Sequence, residues 1–106
     1  MTVAEWLRGR APAAPPELLE RMVDALGQHA RRDAKDAPDA CVTAAEQLVR
    51  ALVARPDAGR EAALDLLSAD ALVTYAFEAG ADTPGWIAEQ APAAMARFAT
   101  AVGVKS

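Results

Sequence analysis

Apolar residues in this chain recur at intervals of three and four positions, and no apolar segment of useful length alternates with polar residues. This spacing places apolar side chains along one face of an α-helix, whereas a half-buried strand needs a period of two. Alanine, the strongest helix former, supplies about a quarter of the 106 residues, and there is one isoleucine and one tyrosine. The pattern predicts an all-α protein and argues against an all-β one.

The length of the chain suits one domain and is too short for two. We predict a compact bundle-like or orthogonal domain with four main helices and a short N-terminal helix. The short helix is expected at residues 2–9, a proline-rich linker at 11–16 and the helical body at 16–102.

Helix-start residues support the first two helices. Thr2 and Glu5 have the spacing of a capping box. Pro16 suits the first turn of the second helix, because its fixed backbone angle is already helical. Glu17 and Arg21 lie four residues apart in that helix, and we expect them to form an ion pair.

Helix-stop residues set the remaining boundaries. We extend the second helix through Gly27 to Ala34, because most of that segment favours helix. The third helix should begin after Asp36 and end at Arg55, which precedes a proline. A last helical region contains Pro92, which either kinks it or splits it.

A fourth helix is predicted from Asp57 to Ala79, with Gly80 as its C-terminal breaker and a place near the centre of the domain. Two readings of the helix remain open: it breaks near Ser68, or it is straight and buried first from one side and then from the other. Both readings follow from polar residues on nearly opposite sides: Glu61, Asp65 and Ser68 first, then Asp70, Thr74 and Glu78.

Charge and cysteine content restrict the partners and the compartment. The net charge of −4 argues against nonspecific binding to nucleic acid or to an anionic membrane. Cys41 is the only cysteine, so no disulfide can form within the chain, and a cytoplasmic location is expected. No segment resembles a signal peptide or a transmembrane helix. The excess of alanine and of arginine over lysine indicates a bacterial source.

His29, Cys41 and Asp70 are the candidates for a pocket. His29 extends the apolar stripe of the second helix, and Cys41 belongs to that of the third, so packing is the simplest role for both. One thiol and one imidazole cannot close a tetrahedral metal site, and no third residue orients them for nucleophilic catalysis. We therefore predict no catalytic residue, no metal and no cofactor.

Two clusters of charged residues have structural explanations that require no ligand. The bases near residue 30 suit a helix C-terminus, and no aromatic residue accompanies them as an RNA-binding surface would require: His29, Arg31, Arg32 and Lys35. The acids of the second half lack the Glu-x-x-His pairing of metal-binding bundles and are expected to form a solvated face: Asp65, Asp70, Glu78 and Asp82.

Large apolar side chains are the candidate anchors for a protein partner: Trp6, Leu7, Trp86 and Phe98. Trp6 is the most suggestive, because its helix is too short to be stable alone. Its burial must come from the rest of the domain or from a partner.

Residues 67–78 resemble one helix of the trans-polyprenyl diphosphate synthases, in which a small-Asp-Ala-Leu string leads into an Ala-Phe pair. The resemblance covers about a tenth of the chain. That family holds magnesium and diphosphate with two aspartate-rich motifs, and neither motif occurs here. The resemblance therefore assigns no catalytic residue.

These patterns favour a non-catalytic cytoplasmic module that interacts with, or regulates, a protein through a helical surface. The partner would be a different protein or a second copy, because the fourth helix carries more apolar surface than its neighbours readily cover. The alternative is a small-molecule binding domain or an accessory subunit of an enzyme, with a pocket near His29 and Cys41 or beside Asp70.

Overall fold

A computed structural model describes residues 1–10, 14–55 and 59–103. Within these ranges the chain forms no β-strand, and one isolated bridge pairs Thr2 with Asp33. Two 3-10 turns, Gly27–Arg31 and Ala34–Asp36, join the second helix to the third. The all-α, bundle-like prediction is confirmed. The helices are α1 (Val3–Arg10), α2 (Pro16–Leu26), α3 (Ala37–Ala54), α4 (Gly59–Ala81), α5 (Trp86–Glu89) and α6 (Ala91–Ala101).

The core of the fold is the pair formed by α3 and α4, which pack against each other more extensively than any other two helices. Both helices carry several buried alanines, whose small side chains allow the two backbones to approach closely. Leu72 of α4 and Cys41 of α3 are fully buried. Around this pair, α1, α2 and α6 pack against α3, while α2 and α5 pack against α4.

The start of the chain is fixed to the body of the domain. Thr2 and Glu5 form the expected capping box, with backbone-to-side-chain hydrogen bonds of 2.8 and 3.2 Å. The amide of Val3 donates to the carbonyl of Arg32, and the amide of Ala34 donates to the carbonyl of Met1, both at 2.8 Å. Of the predicted linker, residues 11–13 lie outside the described ranges, and Pro16 already belongs to α2.

The second helix is shorter than the sequence suggests. Gly27 has a φ of 55°, a left-handed conformation that ends α2 at Leu26. The chain then continues as 3-10 turns, where the Asp33 side chain accepts a hydrogen bond of 2.9 Å from the amide of Lys35. The prediction of a helix extending to Ala34 is therefore wrong.

The fourth helix is unbroken, and one face of it is buried from Asp65 to Gly80. That face includes Asp65 and Ser68, so the buried side does not change at Ser68 as both readings of the sequence required. The Ser68 hydroxyl donates to the carbonyl of Leu64 at 2.8 Å and does not cap a new helix. The predicted cap Asp57 lies outside the described residues, and Gly80 lies within the helix.

The final helical region is split in two. α5 is a single turn, and α6 begins at Ala91 with Pro92 in its first turn, where a proline costs no hydrogen bond. The Trp86 ring of α5 is buried against α4, lies edge-on to Phe77 at 5.4 Å between centroids, and donates to Asp39 Oδ1 at 3.1 Å. Trp86 thus attaches the C-terminal region to both central helices.

Among the described helices, none has both the length and the apolar character needed to cross a membrane.

Candidate functional site

An open apolar groove of about 290 Å³ lies between the first turns of α2 and the first half of α4. We call it the α2–α4 groove. Its lining is mainly aliphatic, with one acidic and one basic residue: Pro15, Glu17, Leu18, Arg60, Ala63, Leu64 and Leu67.

Local sequence explains why apolar side chains meet at this place. Pro15 and Pro16 start α2, and the Pro15 carbonyl accepts a hydrogen bond of 3.0 Å from the amide of Leu19, which closes the first turn. This start points Leu18 toward α4, where it is half-buried like Leu64. Leu67 lies one turn further along α4 and is 59% exposed.

Exposed leucines on the outer side of α4 extend the apolar surface beyond the groove. Leu66 is 60% exposed and directly precedes Leu67, but it does not line the groove, because neighbouring side chains of a helix point about 100° apart. Single exposed apolar residues are common on proteins and carry little meaning. Leu67 is both strongly exposed and part of an apolar groove, and this combination is typical of binding surfaces.

Glu17 and Arg60 place opposite charges on the two helices that form the groove. Both are exposed, and within the described residues neither forms a salt bridge. The predicted ion pair between Glu17 and Arg21 does not form in this part of the chain, because Arg21 bonds to Asp65 instead. Within this part of the chain, the charges of Glu17 and Arg60 thus face solvent.

The ion pair between Arg21 and Asp65 fixes α2 against α4 beside the groove. The Asp65 side chain is 5% exposed and that of Arg21 is 38% exposed. Their hydrogen bond raises the pKa of the Arg21 guanidinium, while burial acts in the opposite direction. Asp65 was expected on a solvated acidic face; that expectation is wrong, because the residue is buried with a partner from another helix.

The predicted partner anchors divide into buried and half-buried residues. Leu7 is fully buried and Trp86 is 4% exposed, so neither offers surface to a partner in this structure. Trp6 and Phe98 are half-buried. Trp6 lies edge-on to Tyr75 at 6.4 Å and beneath the Arg10 guanidinium at 5.7 Å, so the domain itself provides much of its cover.

None of the three predicted pocket residues lines the α2–α4 groove. His29 is half-buried, with Nδ1 3.4 Å from an Arg32 nitrogen. Cys41 is completely buried, and burial raises the pKa of its thiol to about 12, which makes the thiolate needed for nucleophilic chemistry scarce. Asp70 is exposed on α4.

The other charged clusters stabilise the fold. Arg97 Nε donates to Glu46 at 2.7 Å and its terminal nitrogen donates to Thr43 at 3.2 Å, while Arg50 donates to Glu46 at 2.9 Å. The two Arg97 contacts join α6 to α3, and the Arg50 contact lies within α3. Within the described ranges, no three His, Cys, Asp or Glu side chains are grouped as metal ligands.

Sequence reasoning did not single out the groove. Leu64, Leu66 and Leu67 stood out as an apolar excess in the fourth helix, but the sequence could not show which of them a neighbour would cover. Pro15 lay in the predicted linker, Glu17 was assigned an ion pair with Arg21, and Arg60 was given no role. The sequence feature that could have indicated the groove is the adjacent pair Leu66 and Leu67, in a helix with enough other apolar residues to form its buried face.

No protein-family model matches the chain, and the searches of curated proteins and of solved structures found no match either. The resemblance of residues 67–78 to a helix of the polyprenyl diphosphate synthases therefore stays confined to one segment.

Proposed function

We propose that this chain is a non-catalytic interaction module that binds an apolar helical segment of a protein in the α2–α4 groove. The supporting observation is the groove itself, with Leu67 59% exposed at its edge and Leu66 beside it. Grooves between helices commonly accept the apolar face of another helix.

The chemistry of the groove favours a protein segment over a substrate. Among the described residues that line the groove, the charged ones, Glu17 and Arg60, lie on different helices, and the others are aliphatic or proline. Small-molecule sites combine an apolar pocket with several converging polar groups. The reactive side chains named from the sequence lie elsewhere, and the Cys41 thiol is buried and protonated.

The proposed setting is the bacterial cytoplasm, with no nucleic-acid or membrane partner. A free, buried thiol suits a reducing compartment. The net charge of −4 disfavours attraction to phosphate-rich surfaces. The small-molecule alternative remains a competing outcome of the experiment below.

Site-specific photocrosslinking in cells of the source organism tests the proposal. A benzophenone amino acid replaces Leu67 in one variant and Met95 of α6, which is 55% exposed, in the control. We expect a discrete protein adduct from position 67 and none of the same species from position 95. Mass spectrometry should place the adduct on the apolar face of a helical segment.

A second pair of variants shows whether the adduct depends on the groove. Ala63→Glu puts a charged side chain into the groove while keeping a good helix former, and should abolish the adduct. Ala96→Glu makes the same change at an exposed position of α6, outside the groove, and should preserve the adduct. The absence of any protein adduct at position 67, or a small-molecule adduct in native mass spectrometry that Ala63→Glu removes, contradicts the proposal.

A further inference from the structure

We infer that a second copy of this chain occupies the α2–α4 groove, with Glu17 of each copy opposite Arg60 of the other. The inference rests on the proposed function and names the partner. It begins from the two charged residues of the groove, which face solvent without a salt-bridge partner among the described residues.

Glu17 and Arg60 lie on opposite walls, Glu17 on α2 and Arg60 on α4, and the groove separates them. The surface therefore has an acidic wall, an apolar floor and a basic wall. A twofold rotation about an axis along the groove exchanges the two walls. The acidic wall of one copy then faces the basic wall of the other, so the surface is complementary to itself.

The apolar part of the surface meets the same symmetry requirement. Leu67 lies at the edge of the groove and Leu66 follows the exposed side of α4. In the twofold arrangement, Leu67 of each copy enters the groove of the other, against Leu18 and Leu64. Each chain thus supplies both the groove and the side chain that fills it.

Local charge supports self-association although the whole chain is acidic. The chain carries a net charge of −4, which opposes the approach of two copies at random orientations. The described lining of the groove carries one positive and one negative charge, which sum to zero. Approach through it avoids the repulsion that other acidic surfaces would meet, which favours one orientation.

Charge reversal in purified protein tests the inference. We expect wild-type protein to show a concentration-dependent monomer–dimer equilibrium by sedimentation velocity and native mass spectrometry. Glu17→Arg places two arginines at each contact, and Arg60→Glu places two glutamates there. Each single variant should raise the dimer dissociation constant about tenfold or more, because both symmetry-related contacts become repulsive.

Mixing and combining the two variants should restore the dimer. In a mixed dimer of Glu17→Arg with Arg60→Glu, both contacts are again attractive, so the heterodimer should form preferentially. The double variant exchanges the two charges and should recover near-wild-type self-association. Glu78→Arg and Arg31→Glu change the net charge equally at exposed positions outside the groove and should have little effect.

Three results would overturn the inference: a wild-type chain that stays monomeric at high micromolar concentration, single reversals without effect, or single reversals that mixing does not rescue. A monomeric chain whose position 67 crosslinks to a different protein would leave the proposed function standing. The absence of both dimer and crosslink would remove both proposals.

Discussion

Gly80 determines how closely α4 approaches Trp86. A Cβ atom built on this glycine would lie 2.6 Å from Cδ2 of the indole, inside the limit that real contacts respect. The ring cannot easily move, because Asp39 accepts its hydrogen bond and Phe77 packs edge-on against it. Gly80 was expected to end the helix, but its actual importance is the space it leaves.

Gly80→Ala should therefore destabilise the protein by about 2 kcal/mol, although alanine is the better helix former. Gly9 in α1 provides the matched control, since no described atom lies within 4 Å of the place that a methyl group would take there. Gly9→Ala should leave the free energy of unfolding unchanged or raise it by up to about 1 kcal/mol. Urea denaturation measures both, and equal effects at the two positions would contradict the packing argument.

The ion pair of Arg21 with Asp65 should respond unequally to loss of its two members. Arg21→Met leaves a carboxylate buried without its partner and should cost about 3 kcal/mol of unfolding free energy. The double variant Arg21→Met with Asp65→Leu removes the stranded charge and should be more stable than Arg21→Met alone. Denaturation of both variants decides this, and a double variant less stable than the single one would refute it.

At the residue scale, the sequence predicts contacts between neighbouring residues but not contacts between side chains of distant helices. The capping box of Thr2 and Glu5 is local, and its prediction is confirmed by both hydrogen bonds. Asp65 is different, since its burial depends on an arginine 44 positions away. Helical periodicity grouped Asp65 with Glu61 and Ser68 on one side of the helix, but it did not show that Asp65 is buried or which partner it meets.

At the scale of elements, Glu46 links α3 to α6. Its partial burial acts to raise its pKa, but hydrogen bonds from Arg50 and Arg97 outweigh this and lower the pKa below the usual 4.5. A carboxyl with a lowered folded-state pKa stabilises the protein above the unfolded-state value. This stabilisation is lost as the pH falls through the lower folded-state pKa.

Glu46→Gln should cost about 1 kcal/mol at pH 7, because the charge-assisted hydrogen bonds weaken. The difference from wild type should begin to shrink as the pH falls below the usual 4.5, where the unfolded chain takes up the proton, and should be lost as the pH falls through the lower folded-state pKa. Thermal or urea denaturation at pH 7 and pH 3 measures it. Glu78→Gln, on the exposed side of α4, is the control, and a pH-independent difference for Glu46→Gln would contradict the argument.

Element boundaries were predictable where one residue dominates the backbone. The end of α3 before Arg55 and the division near Pro92 follow from proline and its neighbours. At Gly27 the helix formers beyond the glycine suggested continuation, yet its left-handed conformation ended α2. Contacts of the following turns with Met1 and Val3 favour this path, and they involve a distant part of the chain.

For the whole molecule, the helical class followed from the pattern because apolar spacing is repeated in every segment. The groove could not be predicted from the pattern, because the exposure of its side chains depends on how the helices are arranged. Leu64, Leu66, Leu67 and Leu72 all contribute to the apolar surface of the fourth helix, but only Leu72 is fully buried. A sequence without its packing arrangement cannot separate core leucines from leucines that stay exposed.

The molecule is thin in one direction, and one side of α4 is exposed. The domain spans 38 × 36 × 22 Å, and 22 Å corresponds to about two helix diameters. In a domain this thin, every described helix keeps exposed residues on one side. A second copy laid against the α2–α4 groove would cover the exposed side of α4, whose opposite face is already buried within the domain.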